Sequence, residues 1–295
     1  MAYHRGELAV QVRAGVRDES ARVERVARDT VPRVAAEFLT RQPVLFLGAA
    51  DAAGRLWSTA LTGRPGFLAA PDERTISVAA RPNAADPLAA ALTRPTQVGT
   101  IAIEPDTRRR MRVNGLARPT PDGLAVDVEQ VVANCPQYIQ RRSPLPVAPG
   151  SPTATWSESL SEAQRRVIAA ADTFFVTTAA DESVDTSHRG GNPGFVQVGP
   201  GAELEWPDYS GNAMFLTLGN LELDPRAGLL FPDWSTGTAL HLSGTAVVDW
   251  SAESAARHPG AQRVVRFTVA DVVEVADAIP LHWSAPEFSR FNPAV

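Results

Sequence analysis

The residues best suited to chemistry lie in one stretch of the second half, Asp185-Thr186-Ser187-His188-Arg189-Gly190-Gly191-Asn192. It is the densest polar run in the chain and sits between apolar segments. Ser187 offers a hydroxyl, and Arg189 a planar fork that matches phosphate oxygens. Consecutive glycines let backbone N–H groups come close to an anion. The run reads as an anion site built on Ser187, Arg189 and the 187–192 backbone, or equally as a polar turn at a strand end. A second polar loop, Pro207-Asp208-Tyr209-Ser210-Gly211-Asn212, brings Ser210 and Asn212 forward as ligand contacts, although its turn formers also suit a plain turn. A third cluster is Arg108-Arg109-Arg110-Met111-Arg112. If a strand starts at Met111, Arg110 and Arg112 share one face. They would then form a cationic wall beside an anionic substrate, or a solvated basic edge.

Other chemistries find no support. There is no G-x-S-x-G elbow, no H-E-x-x-H pair and no Walker loop, and Gly199-Pro200-Gly201 lacks the third glycine of a dinucleotide fingerprint. The five histidines show no metal-ligand spacing, so no metal site is expected. The single cysteine, Cys135, excludes an intrachain disulfide and reads as a buried structural thiol. All 28 basic residues are arginine, so no lysine can form a Schiff base with pyridoxal phosphate. No residue nominates itself as the catalytic group. The net charge of −5 argues against a nucleic-acid partner. The chain has no run of about 18 apolar residues, and MAYHRGELAV lacks an apolar signal segment. A cytoplasmic protein with no membrane partner is expected.

The elements that must position these residues occur twice. Residues 44–67 and 173–195 both run from an apolar strand through Ala-Ala-Asp to Pro-Gly-Phe. Residues 93–106 echo 223–234, and 108–117 echo 238–247, in the same order. Two copies of one unit follow, with Ala60 and Leu61 standing where the second copy has His188 and Arg189. The proline-rich stretch from Ser143 separates them as an extended linker. The expected division is a lobe over 1–142 with a leading helix, a linker over 143–157, and a lobe over 158–295. Within the units, strands are expected at 44–49, 55–62, 75–79, 97–103, 111–117 and 123–128. One helix over Asp18–Leu39, bent at Pro32, follows from its apolar stripe. A short helix is expected from Asp86-Pro87 through Leu92. Ser161 and Gln164 match a capping box opening a helix to about Ala171.

Several segments together resemble the pyridoxamine 5′-phosphate oxidase-like, FMN-binding split-barrel proteins, above all the bacterial members with two lobes in one chain. They are HRGELAVQVRAGV (4–16), WSTALTGRPGF (57–67), RRRMRVNG (108–115), NCPQYIQRR (134–142), DTSHRGGNPGF (185–195), PDYSGNAMFLTLGNLELDPRAGLLF (207–231) and the closing FNP (291–293). The resemblance implies a mainly β fold with flanking helices, in which two tandem split barrels form an intrachain pseudo-dimer. It implies FMN as cofactor, with FAD, F420 or haem as the alternatives that related barrels use. Ser187, His188 and Arg189 match the region that grips the flavin phosphate. Tyr209 to Asn212 match a loop near the phosphate or ribityl chain. Arg110 and Arg112 match a strand beside flavin and substrate. The implied activity is flavin-dependent oxidation or reduction of a small organic molecule, with a nicotinamide or protein electron donor and a homodimer as further candidates. A flavin- or haem-binding carrier, store or sensor without turnover is the other reading. The oxidase's lysines are missing here, which sets pyridoxamine 5′-phosphate oxidation itself apart.

Overall fold

The computed structural model describes residues 3–24, 27–133 and 136–295. Cys135, and Val26 of the apolar stripe, lie outside the described residues.

Three helices lead the chain: α1 (Arg5–Arg13), α2 (Arg17–Val23) and α3 (Arg33–Leu39). Seven strands follow: β1 (Val44–Ala50), β2 (Leu56–Thr62), β3 (Leu68–Asp72), β4 (Thr75–Val78), β5 (Thr96–Glu104), β6 (Arg109–Thr120) and β7 (Gly123–Ala133). The connecting segment contributes β8 (Pro144–Pro146) and β9 (Thr153–Ser157), and then α4 (Glu162–Ala170) opens the second half. Its strands are β10 (Thr173–Ala180), β11 (Ser183–Gly190), β12 (Gln197–Val198), β13 (Glu203–Tyr209), β14 (Arg226–Pro232), β15 (Ala239–Asp249), β16 (Ala261–Ala276) and β17 (Leu281–Trp283). Two further helices are α5 (Leu216–Leu223), after β13, and α6 (Ala252–Ala256), after β15.

The two halves use one plan. The first sheet runs β2-β1-β5-β6-β7-β4-β3 and the second β11-β10-β14-β15-β16-β13-β12. These orders match strand for strand. Register agrees as well: Phe46 faces Ala60 and Ile101, while Phe175 faces His188 and Leu230. Ile101 faces Arg112, and Leu230 faces His241. Each long hairpin carries a bulge at the same place, Asn114/Gly115 and Ser243/Gly244. The chain is thus mainly β with flanking helices, two tandem split-barrel lobes each around its own apolar core.

The lobes meet as an intrachain pseudo-dimer. Phe46 and Phe175, matched residues, stack with ring centroids 3.5 Å apart. Gly99 and Gly228, also matched, let the backbones touch. A Cβ on Gly99 would lie 2.5 Å from the Thr186 nitrogen, and one on Gly228 2.5 Å from the Leu56 oxygen.

Two helix expectations need correction. Asp18–Leu39 is not one bent helix. α2 ends by Val23, Arg28 bridges to Val131, and Pro32 is the N-cap of a separate α3. Proline has no N–H to donate inside a helix but suits its first positions. The segment after Asp86 is a run of turns ending in a single 3-10 turn, Ala91–Thr93. The Asp86 carboxylate accepts from the Leu88 N–H there, which satisfies a local turn without starting an α-helix. The capping box at Ser161 and Gln164 is present and opens α4.

The 143–157 segment adds strands at both ends. β8 pairs with β17, and β9 pairs with β16. The leading helix α1 docks on the second lobe, with Val10 in that lobe's core.

Candidate functional site

β11 packs against β5 and β6 of the first lobe and carries the centre of the site. Asp185 and Ser187 are buried, and His188 and Arg189 reach a cleft. β6 of the first lobe delivers Arg110 and Arg112 to the same cleft. The end of β13 and its loop supply Asp208, Tyr209, Ser210 and Asn212, and α5 supplies Leu216, Thr217 and Leu218. Tyr138, Phe195 and Phe215 complete the wall, and Val16 and Glu19 approach from the leading helices.

Arg112 is 8% exposed, and its Nη1 donates to both oxygens of the buried Asp185 at 3.1 and 3.0 Å. Asp185 also accepts from Asn114 Nδ2 at 3.3 Å and Ser187 Oγ at 3.0 Å. Ser187 and Thr217 hydroxyls lie 2.9 Å apart. This carboxylate is therefore a buried hub that fixes Arg112 from below. Arg189 has no such hub. Its Nη1 donates to the His188 carbonyl at 3.1 Å, and burial lowers its pKa while Asp208 works the other way. Burial also raises Asp208, which pairs with Arg263 at 3.1 Å. Arg110 Nη1 lies 2.8 Å from His188 Nδ1. Burial first, then Arg110, Arg189 and Arg112, hold the His188 pKa well below the usual imidazole value.

The loop over the cleft is strained and braced. Ala213 and Phe215 have φ of 58° and 59°, in the left-handed region that ordinary side chains disfavour. Ser20 Oγ donates to the Ala213 carbonyl at 2.8 Å, and Gln11 Nε2 to the Met214 carbonyl at 3.1 Å. The leading helices thus hold a loop of the other lobe in place.

Of the residues that sequence reasoning selected, Arg110, Arg112, His188, Arg189, Gly190, Tyr209, Ser210 and Asn212 line one cleft. Ser187 sits behind it, on Asp185. Gly191 and Asn192 do not line it. The reading of the glycine pair as an anion cradle is corrected by what these atoms do. Gly191 N–H donates to the Asp172 carbonyl, and a Cβ on Gly191 would lie 2.5 Å from the Phe195 ring. Gly63 does the same in the first lobe, donating to Pro43 and making room for Phe67. Asn192 bonds Pro293 and Asn292 instead. Sequence reasoning missed Asp185, Asp208, Thr217 and Tyr138. Both aspartates stood inside polar runs already marked, so their types were visible, but not their partners across the lobes.

The matching region of the first lobe is closed. Ala60 and Leu61 replace His188 and Arg189, and Leu61 belongs to the core. Thr59, matching Ser187, bonds the buried Asp86. His241, matching Arg112, donates from Nδ1 to the Ser58 carbonyl at 2.8 Å.

Two buried donors of the open cleft, His188 Nε2 and Arg112 Nε, have no acceptor among the described residues. Together with Arg110 and Arg189 they suit a bound phosphate, which brings several acceptor oxygens. Tyr138 and Tyr209, with ring centroids 5.1 Å apart, and the Phe195 and Phe215 side chains suit a planar ring beside it. A phosphorylated flavin fits this donor set. Among the described residues, no group of three or more His, Cys, Asp or Glu side chains could hold a metal ion, and no helix is long and apolar enough to cross a membrane.

No protein-family model and no curated protein matches the chain. Several solved structures are similar to parts of it. A candidate pyridoxamine 5′-phosphate oxidase from Lactobacillus delbrueckii is 19% identical with a TM-score of 0.33, covering 39% of this chain and 94% of its own. HupZ of group A Streptococcus is 12% identical with a TM-score of 0.31, covering 37% and 89%. An FAD-binding protein from Mycobacterium smegmatis is 10% identical with a TM-score of 0.30, covering 41% and 98%. None of the three reaches a TM-score of 0.5.

Proposed function

We propose that this protein binds FMN in the cleft between its lobes and serves as a flavin-dependent oxidoreductase acting on a small organic molecule. The observation that carries the reading is the meeting of Arg110 and Arg112 from one lobe with His188 and Arg189 from the other. Flavin, when bound, supplies hydride and electron exchange. The chain's own residues do the rest. Arg189 and Arg110 would hold the phosphate. Asp185 keeps Arg112 aimed and balances its charge. The braced 210–215 loop and the aromatic wall exclude water and orient the ring. The matched strand orders, bulges and interface glycines support an internal duplication in which the second copy kept the phosphate grip.

His188 weighs against haem. An arginine nitrogen can only donate, so His188 Nδ1 accepts and the ring proton sits on Nε2. Neither nitrogen is then open to iron. The non-catalytic flavin carrier shares every contact above. It separates from the enzyme by whether the bound flavin is reduced by a nicotinamide donor and reoxidised by an acceptor. The reading itself is tested with Arg189→Ala. Losing a charge-assisted bond should weaken FMN by about 1.5–3 kcal/mol, roughly ten- to a hundredfold, and leave riboflavin binding unchanged. Equal FMN affinity in the variant would remove Arg189 from the site.

A further inference from the structure

We propose that His188 is a fixed hydrogen-bond donor to the ligand's phosphoryl group, set in its donor form by Arg110. The proposal rests on the reading that the cleft takes a phosphate. Three observations carry it. The Arg110 guanidinium lies 2.8 Å from Nδ1 and has only protons to offer, so Nδ1 must accept. The neutral ring then carries its proton on Nε2. That nitrogen is buried and has no nitrogen or oxygen acceptor among the described residues, although the ring lines the cleft.

A buried N–H without a partner is costly, and such atoms call for an explanation. The fold does not require a ring at this point, since the matching residue of the first lobe is Ala60. Burial first, and then the cationic Arg110, Arg189 and Arg112, disfavour the charged imidazole, so the ring stays neutral through the physiological range. In this form it cannot act as a base, because Nε2 is already protonated and Nδ1 is engaged. It can only donate. The acceptor must therefore arrive with the ligand, and a phosphoryl oxygen facing Arg189 is the chemistry that suits the neighbourhood. The competing acceptor inside the protein is the face of Phe175, whose ring centroid lies 5.8 Å from the imidazole at 67°. Beyond the phosphate contact proposed for it above, Arg110 also positions His188.

The test uses the full chain with nitrogen-15 histidine, observed by long-range proton–nitrogen NMR. The free protein should show His188 as the neutral Nε2–H tautomer from about pH 6 to 8. Arg110→Ala should release Nδ1 and move the imidazole pKa upward. Adding FMN, or inorganic phosphate alone, should shift the Nε2–H resonance downfield. His188→Ala should weaken FMN about tenfold or more while leaving riboflavin unchanged, and His188→Gln, which keeps an N–H donor, should recover part of the loss. FMN binding with the Nε2–H resonance unmoved would leave the proton on Phe175 and overturn the proposal, as would unchanged affinity in His188→Ala. A wild-type chain that shows the expected tautomer but binds neither FMN nor phosphate overturns the phosphate reading, and this proposal with it.

Discussion

At matching points of the two lobes, Leu45 faces Leu61 across β1 and β2, and Phe174 faces Arg189 across β10 and β11. Leu61 packs into the first lobe's core, while Arg189 lines an open cleft. One register step away, Ala60 packs against the apolar interface cluster and His188 meets Arg110. Thr59 is tied to Asp86, and Ser187 to Asp185 and Thr217. The backbone frame is common to both lobes. What differs is whether its side chains close on one another or leave donors facing a shared space. A pseudo-dimer with one frame and two fates needs only a few residues to make one cleft a site and the other a core.

The largest effect should come from forcing the first lobe to copy the second. Leu61→Arg places an unpaired charge in an apolar core. It should cost about 4 kcal/mol or more and leave much of the chain unfolded. Urea unfolding that stays within about 1 kcal/mol of wild type would show the counterpart cleft is open after all. Next is the hub of the second lobe. Asp185→Ala strands the buried Arg112 without its carboxylate, and breaking a buried pair costs about 3–5 kcal/mol. The exposed Arg33–Glu37 pair, by contrast, should be worth at most about 0.5 kcal/mol.

A smaller effect concerns the leading helix that braces the second lobe's cleft. Glu7 on α1 is buried, and its pKa is pushed up to about 8 by that burial. The folded chain therefore holds a proton that the unfolded chain releases near the ordinary carboxylate value. Between there and about pH 8 the folded state binds more protons, so this group's contribution falls as pH rises and then levels off. Glu7→Gln, which keeps an acceptor for the His4 N–H, should abolish that loss. Thermal melts should show the variant gaining on wild type from pH 5 to 8. Parallel curves would place the titration elsewhere.

Much of this contrast was legible in the sequence. Apolar runs and turn residues marked six of the first lobe's seven strands, and the repeated Ala-Ala-Asp and Pro-Gly-Phe landmarks aligned Ala60 and Leu61 with His188 and Arg189. The type of a residue was enough there, because a leucine cannot replace an arginine's bonds to an anion. Gly191 misled because it makes room for the Phe195 ring, whereas Gly190 lines the cleft beside the Tyr138 carbonyl, and a sequence does not say what a glycine makes room for. Asp185 was overlooked as a hub because its partners, Arg112 and Asn114, lie more than seventy positions away in the other lobe. The long helix over Asp18–Leu39 failed because its apolar stripe continued past a proline that the chain uses as an N-cap.

If FMN is held as proposed, by Arg110 and Arg189, the Leu61 side of the first lobe has no matching grip. The flavin bound per chain decides this. The full-length protein is saturated with FMN and desalted, and flavin absorbance is compared with protein concentration. The expected ratio is near one. A ratio near two would mean that the Leu61 side binds as well, and a ratio near zero would mean that the arginine cleft does not hold FMN.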